Sequence, residues 1–203
     1  MTPDIGVDVS RETMGALEHY AELTVKWTQR INLIAKSTVA DVWNRHVIDS
    51  AQLYQYTPPF QTWVDIGSGG GFPGIVMAIL AREHTPEAKF TLIESDARKS
   101  TFLRTVSREL SLDISVVTQR IEETEPASAD VVSARALGHL SDLLPLAHHH
   151  LNPDGTALFM KGRRHANEVQ DVSDQWGFEL AEYPSITDPD SRILSMKRIT
   201  RVA

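Results

Sequence analysis

Polar and apolar positions divide the chain into two regimes. Met14, Leu17, Tyr20, Leu23, Trp27, Ile31 and Ile34 recur at spacings of three and four, which predicts one amphipathic helix with a single apolar stripe. Ser10 precedes the stripe and suits its N-cap. A second helix is predicted from Thr38 to about Tyr56, with Val42, Trp43, Val47 and Leu53 turned inward and Pro58-Pro59 ending it. The pattern then changes to short apolar runs, at Trp63–Ile66, Phe90–Ile93, Ile114–Val117, Val131–Val132 and Thr156–Met160. Helical spacing fills the gaps at 75–82, 97–110, 139–149 and 166–176. Strands alternating with helices predict an α/β fold, a mostly parallel sheet covered by helices on both faces. Asn152-Pro-Asp-Gly155 reads as a turn before the fifth strand. The runs 179–183 and 193–198 are too close for a crossover helix, so they predict an antiparallel hairpin at the sheet edge and seven strands in all. Residues 1–58 then form an N-terminal helical extension packed on a core of residues 59–203, the two making one structural unit.

The strongest local signal is Val64-Asp-Ile-Gly-Ser-Gly-Gly-Gly-Phe-Pro-Gly74, between a strand and a helix. Glycine permits positive φ and close approach of a ligand to the backbone. In an open α/β sheet, such a loop lies at the carboxyl ends of the strands, where ligands bind. Gly69, Gly71 and Gly74 satisfy the dinucleotide spacing G-x-G-x-x-G. Asp65, Gly67, Gly69 and Gly71 satisfy D-x-G-x-G-x-G, which resembles motif I of S-adenosylmethionine-dependent methyltransferases. Glu94 ends the second strand 27 residues after Gly67 (94 − 67) and is placed to accept ribose hydroxyls, which either cofactor has. A nicotinamide enzyme needs a further region for its hydride partner, and little chain remains for one. The methyl donor is therefore favoured, and cofactor titration separates it from NAD. No Gly-Lys-Ser/Thr follows, which excludes a Walker loop.

Composition narrows the chemistry. The 203 residues are 41% hydrophobic and 23% charged, as in an ordinary globular protein. Cysteine is absent, which removes disulfides, thiolate metal sites and the covalent route to 5-methylpyrimidines. The place after the fourth strand reads Val131-Val-Ser-Ala-Arg-Ala-Leu137 and lacks the Asn/Asp-Pro-Pro-Tyr/Phe of many exocyclic-amine methyltransferases. An acceptor that is already nucleophilic fits best, and guanine N7 is one, since its lone pair needs no general base. Met1 to Ser10 carries Asp4 and Asp8 and no basic residue, so no signal peptide is expected. No apolar run approaches the roughly 20 residues of a membrane span, so a cytoplasmic, membrane-independent protein is expected. The formal net charge of −7 opposes non-specific binding to nucleic acid. An RNA partner requires basic residues gathered on one face, and Lys161, Arg163, Arg164 and His165 are the clearest cluster. His148 to His150 are adjacent on a helix, point in different directions and are not expected to hold a metal.

These stretches resemble one family, the bacterial 16S ribosomal RNA guanine-N7 methyltransferases, formerly called glucose-inhibited division protein B. The resemblance rests on Asn32-Leu-Ile34, Arg45-His-Val-Ile-Asp-Ser50, the loop Asp65 to Gly74, Leu92-Ile-Glu-Ser95 with Arg98-Lys99 and Phe102-Leu-Arg104, Ser133-Ala-Arg-Ala136, and Lys161-Gly162. The Arg-His-x-x-Asp-Ser segment and the Gly-Phe-Pro-Gly ending are specific to it. The departures are Gly70, where many members have Pro, and Glu94, where many have Asp. The resemblance implies a Rossmann-like methyltransferase fold, S-adenosylmethionine as cofactor, and 16S rRNA in the small ribosomal subunit as partner. It implies cofactor contacts from Asp65, Gly67, Gly69, Gly71, Phe72, Glu94, Ile121, Glu122 and Arg135. Arg135 matches the arginine near cofactor and target base and is the residue expected to position the acceptor. Arg45, His46, Lys161, Arg163 and Arg164 are expected on the RNA. The bland readings are an Arg45–Asp49 surface pair, an ion pair of Arg135 with Glu122 or Asp130, and a solvated face for Arg98, Lys99, Arg104 and Arg108. A monomer without metal is expected. The alternative of another class is a ribosome-assembly factor that keeps the fold and methylates nothing.

Overall fold

A computed structural model describes residues 6–202 of the chain. Asp4, in the stretch read as lacking a signal sequence, lies outside the described residues. Helix α1 (Arg11–Thr28) begins at Ser10, whose hydroxyl accepts the Thr13 N–H at 3.1 Å. It is shorter than its stripe, because the Trp27 carbonyl takes the Arg30 and Ile31 N–H groups at 2.9 and 3.0 Å and the chain turns away. Ile34 stays buried beyond that turn, so the stripe reports the core rather than the helix.

The predicted second helix is instead a succession of short turns. A 3-10 turn (Lys36–Asp41), a π turn (Trp43–Ile48), one α turn, α2 (Asp49–Ala51), and a second 3-10 turn (Gln52–Tyr56) follow one another. Thr38, Val39, Val42, Val47 and Ile48 are β-branched and pack poorly against a regular helical turn. Tertiary contacts then decide the local winding, as described below for Arg45, His46 and Asp49.

The sheet has seven strands in the order β3-β2-β1-β4-β5-β7-β6. The strands are β1 (Thr62–Ile66), β2 (Lys89–Ile93), β3 (Ile114–Val117), β4 (Ala129–Arg135), β5 (Leu151–Lys161), β6 (Trp176–Pro184) and β7 (Arg192–Arg201). The first five are parallel; β7 pairs antiparallel with β5 and with β6. Helices α3 (Gly74–His84), α4 (Ala97–Glu109), α5 (Leu140–His150) and α6 (His165–Val172) connect the strands. Asn152-Pro-Asp-Gly155 falls inside β5 rather than before it. There the register jumps from Ala129–Leu151 to Val131–Thr156. Asn152 holds this bulge by accepting the Asp154 N–H at 3.0 Å and donating to Asp130 at 2.8 Å.

Alternation along the strands splits the core between the two faces. Trp63, Phe90, Leu92 and Val131 pack under α1, α3 and α4, in one apolar cluster with Leu17, Tyr20, Val47 and Leu53 of the N-terminal segment. Val64, Ile66, Val132 and Ala134 pack under α5 and α6. Trp63 is buried, while Trp27 and Trp43 are partly buried against the first cluster. No helix among the described residues is long and apolar enough to cross a membrane.

Candidate active site

The strand order reverses at β1, with β2 and β3 on one side and β4 on the other, and the crevice at their carboxyl ends holds the glycine loop. Gly67 and Gly69 have φ of +64° and +56°. The Gly69 N–H donates to Glu94 Oε2 at 2.8 Å, and the Asp96 N–H donates to Glu94 Oε1 at 2.8 Å. Glu94, at the end of β2, is buried, and each of its oxygens keeps a further lone pair. The loop and Glu94 line a cavity of about 330 Å³. Phe72, Ile121, Glu122 and Arg135 line the same cavity, so seven of the nine expected cofactor contacts converge on it. Lys99 lines it too, correcting its assignment to a solvated face. Arg104 is exposed, as a solvated face requires, and also donates to the Val116 carbonyl at 2.9 Å, tying α4 to β3.

Two motif residues serve the loop from behind. Asp65 is buried, and Oδ1 accepts the Ser133 hydroxyl at 2.6 Å. Among the described residues Oδ2 has no hydrogen-bond partner, and it faces Gly74, where an added Cβ would meet it at 2.8 Å. Burial pushes the Asp65 pKa up to about 6, against the hydrogen bonds that lower it. At Gly71, φ is +90° and a Cβ would come within 2.5 Å of Ile75 and 2.8 Å of the Tyr20 hydroxyl. Neither residue lines the cavity. Motif spacing identifies the loop but does not separate residues facing a ligand from those the turn needs for packing.

Sequence reasoning missed Tyr20. Its buried hydroxyl donates to the Gly70 carbonyl at 2.6 Å, and its ring lies 4.9 Å from that of Phe72. The contact joins α1 to the glycine loop across 50 residues, a separation no local pattern reports.

Arg135, at the end of β4, pairs with neither Glu122 nor Asp130. Its Nη1 donates to the Arg45 carbonyl at 3.1 Å and to Asp49 Oδ2 at 3.3 Å, and its Nη2 donates to His46 Nδ1 at 2.6 Å. Its guanidinium lies 5.1 Å from the Phe72 ring centre. Phe72 is thus a buried platform as well as a wall of the cavity. The alternative Arg45–Asp49 surface pair is not formed either, since Arg45 pairs with Asp188 at 3.6 Å.

A second cleft of about 250 Å³ adjoins the first, with Arg135 and Ala136 in both walls. Arg45, Asp49, Lys161, Thr187, Asp188 and Arg192 are among its polar lining. Lys161 is committed, however, donating to Glu168 at 2.6 Å and to the Gly138 carbonyl at 2.7 Å, and its side chain is 9% exposed. These two acceptors take two of its three N–H groups. His46 is buried and engaged, as above. Arg163 is exposed and paired with Asp190, and Arg164 is exposed beside it. His148 and His149 bond backbone carbonyls of Ile199 and Thr124. Among the described residues no cluster of His, Asp and Glu is arranged to hold a metal.

The family described as rRNA small subunit methyltransferase G matches residues 13–193. A ribosomal RNA small subunit methyltransferase G of Cereibacter sphaeroides is 50% identical over 197 residues, covering 97% of this chain and 95% of the relative. That of Ruegeria pomeroyi is 47% identical over 203 residues, all of both chains. Among solved structures, a SAM-dependent methyltransferase from Aquifex aeolicus superposes with a TM-score of 0.59 at 11% identity, over 77% of this chain and 92% of its own. The 16S rRNA methylase RmtB does so with a TM-score of 0.57 at 14% identity, over 95% and 77%. At those identities the two structures speak for the fold, a Rossmann-like methyltransferase fold.

Proposed function

From the premise that the chain belongs to the rRNA small subunit methyltransferase G family, we propose that it transfers a methyl group from S-adenosylmethionine to N7 of a guanine in 16S rRNA. The observation that carries the reading is one cavity at the sheet's switch point, combining positive-φ glycines, Glu94 at the end of β2, and Arg135 shared with a second cleft.

The residues present fit the cofactor. The cavity has the volume of a small-ligand site. Gly67 and Gly69 would bring backbone against the amino-acid portion, Glu94 would accept from the ribose hydroxyls through its free lone pairs, and Ile121 with Glu122 would flank the adenine. When bound, S-adenosylmethionine supplies an electrophilic methyl on a sulfonium.

The chain's own part is to bind and align, which alone can supply a large share of a rate enhancement. Neither His46, beside Arg135, nor Tyr20, behind the glycine loop, is free to act as a general base. Burial holds the His46 pKa down to about 3, Arg135 and Arg45 adding to it, and both ring nitrogens are engaged. Burial pushes the Tyr20 phenol well above its usual value, and its proton is given to Gly70. An acceptor with a ready lone pair suits such a site. Arg163 and Arg164, exposed and directly following Gly162 of the second cleft, would meet phosphates. We read the protein as a monomer acting in the cytoplasm, where its ribosomal substrate is. Of the large apolar side chains described, Ile186 and Val202 are the exposed ones, too few for an extended interface.

The test is transfer of labelled methyl from S-adenosylmethionine to small ribosomal subunits that lack the modification, with the labelled nucleotide mapped. Label on one guanine N7 supports the proposal. Label on another base keeps the methyltransferase and discards the acceptor. Cofactor binding without transfer to any rRNA overturns the reading.

A further inference from the structure

The segment expected to touch RNA is turned inward, onto Arg135. We propose that His46 and Asp49 are positioning residues that fix the aim of the Arg135 guanidinium between the two clefts. The proposal rests on the reading of Arg135 as the group that meets cofactor and acceptor.

A guanidinium has five N–H groups in fixed directions. Three are taken, by the Arg45 carbonyl, Asp49 Oδ2 and His46 Nδ1. The Nε–H and one Nη2–H have no partner among the described residues, and Arg135 lines both clefts. Those two are the donors a ligand can use, and the three fixed contacts decide where they point.

The tautomer of His46 follows from its neighbours. The Thr38 hydroxyl donates to the Ala35 carbonyl at 2.9 Å, so its single proton is spent. His46 Nε2, 2.8 Å from that oxygen, must therefore be the donor. Nδ1 is then a lone pair, aimed at Arg135 at 2.6 Å. Protonating the ring would set an N–H against a cation, which agrees with its depressed pKa.

A contact made only for stability would be stronger with a second carboxylate facing a buried arginine. A neutral imidazole gains little by charge but fixes direction. Both carboxylate oxygens of Asp49 are engaged as well. Oδ2 takes Arg135, while Oδ1 takes Gln52 Nε2 at 3.0 Å and the hydroxyls of Thr187 and Ser185. It thereby ties Arg135 to the loop between β6 and β7, one wall of the second cleft.

The test compares His46→Asn, His46→Gln and His46→Leu with Arg135→Ala in the full-length protein. Asn places a carbonyl oxygen near the position of Nδ1, whereas Gln reaches the position of Nε2. Melting curves of each variant select a temperature at which all are folded. His46→Gln and His46→Leu are expected to lower kcat roughly tenfold or more while the cofactor Kd, read by calorimetry, changes little. His46→Asn is expected to restore most of that loss. In 15N-histidine spectra, His46 should show a protonated Nε2 and a bare Nδ1. Equal loss in all three variants, or a proton on Nδ1, overturns the proposal. So does wild-type kcat in His46→Leu while Arg135→Ala is inactive. Full activity in Arg135→Ala overturns the parent reading of Arg135 and this proposal with it.

Discussion

At Gly71 a methyl group has nowhere to go, whereas at Gly69 the nearest atom to an added Cβ is the Gly67 carbonyl oxygen at 3.8 Å. Both have positive φ. Gly71→Ala should therefore cost stability through clash and strain, about 3 kcal/mol, read as a lower Tm. Gly69→Ala should cost about 1 kcal/mol in the fold and act mainly on cofactor Kd, because its backbone faces the cavity. Two buried groups make opposite predictions for pH. The Asp65 pKa is raised to about 6, so the folded state holds a proton that the unfolded state has lost, and stability falls as pH rises from 4 to 6. The His46 pKa is lowered to about 3, so the unfolded state holds the extra proton, and stability rises with pH up to about 6.5. Each slope is limited to about 1.4 kcal/mol per pH unit. Burial lowers the His150 pKa too, adding to the His46 slope; His46→Asn should make the change of Tm between pH 4 and 6 more negative than in the wild type, and Asp65→Asn should make it more positive. Residue types at motif spacing were legible in the sequence as far as Gly67, Gly69, Phe72, Glu94, Ile121, Glu122 and Arg135, which meet in one cavity. Tyr20, Lys99 and Leu137 also reach the glycine loop or cavity, but through tertiary contacts that carry no spacing.

Elements were legible where one period runs uninterrupted. The strands β1 to β4 and the helices α3, α4 and α5 lie where the apolar runs place them, within a few residues. The stretch from Lys36 to Tyr56 was not, because its apolar spacing suits a helix while its backbone is wound to bring Arg45, His46 and Asp49 onto one arginine. Irregular turns of this kind recur at functional sites. The Asn152–Gly155 bulge was read as a turn because its residue types are those of a turn; only pairing with β4 shows that the strand continues through it. Its anchor is Asp130, which accepts from Gln61 N–H at 2.7 Å, Thr62 N–H at 2.9 Å, the Thr62 hydroxyl at 3.0 Å and Asn152 at 2.8 Å. Asp130→Ala should lose about 2 kcal/mol of stability in urea titrations. Its kcat should stay at the wild-type value at permissive temperature, since Asp130 lies at the amino end of β4, away from the cavity.

At the scale of the molecule, the N-terminal segment and the sheet share one apolar cluster, and we propose that they unfold together. Calorimetry should show a single transition, and removal of residues 1–58 should leave a chain that does not fold, having stripped Tyr20, Val47 and Leu53 from the core. Net charge of −7 requires that attraction to RNA be local. With His46 buried and Lys161 paired with Glu168, Arg163 and Arg164 are, with Arg45, the exposed basic residues among those expected on RNA. An Arg163→Ala, Arg164→Ala double variant should bind RNA with a salt slope shallower by about 1.5; an unchanged slope would remove them from the interface. The wall that the two clefts have in common also has a thermodynamic reading. We propose that the first cleft takes the cofactor and the second the acceptor RNA, and that, because they share Arg135 and Ala136, filling one changes the free energy of filling the other. Such coupling is reciprocal: whatever factor the cofactor imposes on RNA affinity, RNA imposes on the cofactor. The methylated and unmethylated donors then need differ only slightly at Arg135 for the enzyme to hold its substrate RNA and let its product RNA go.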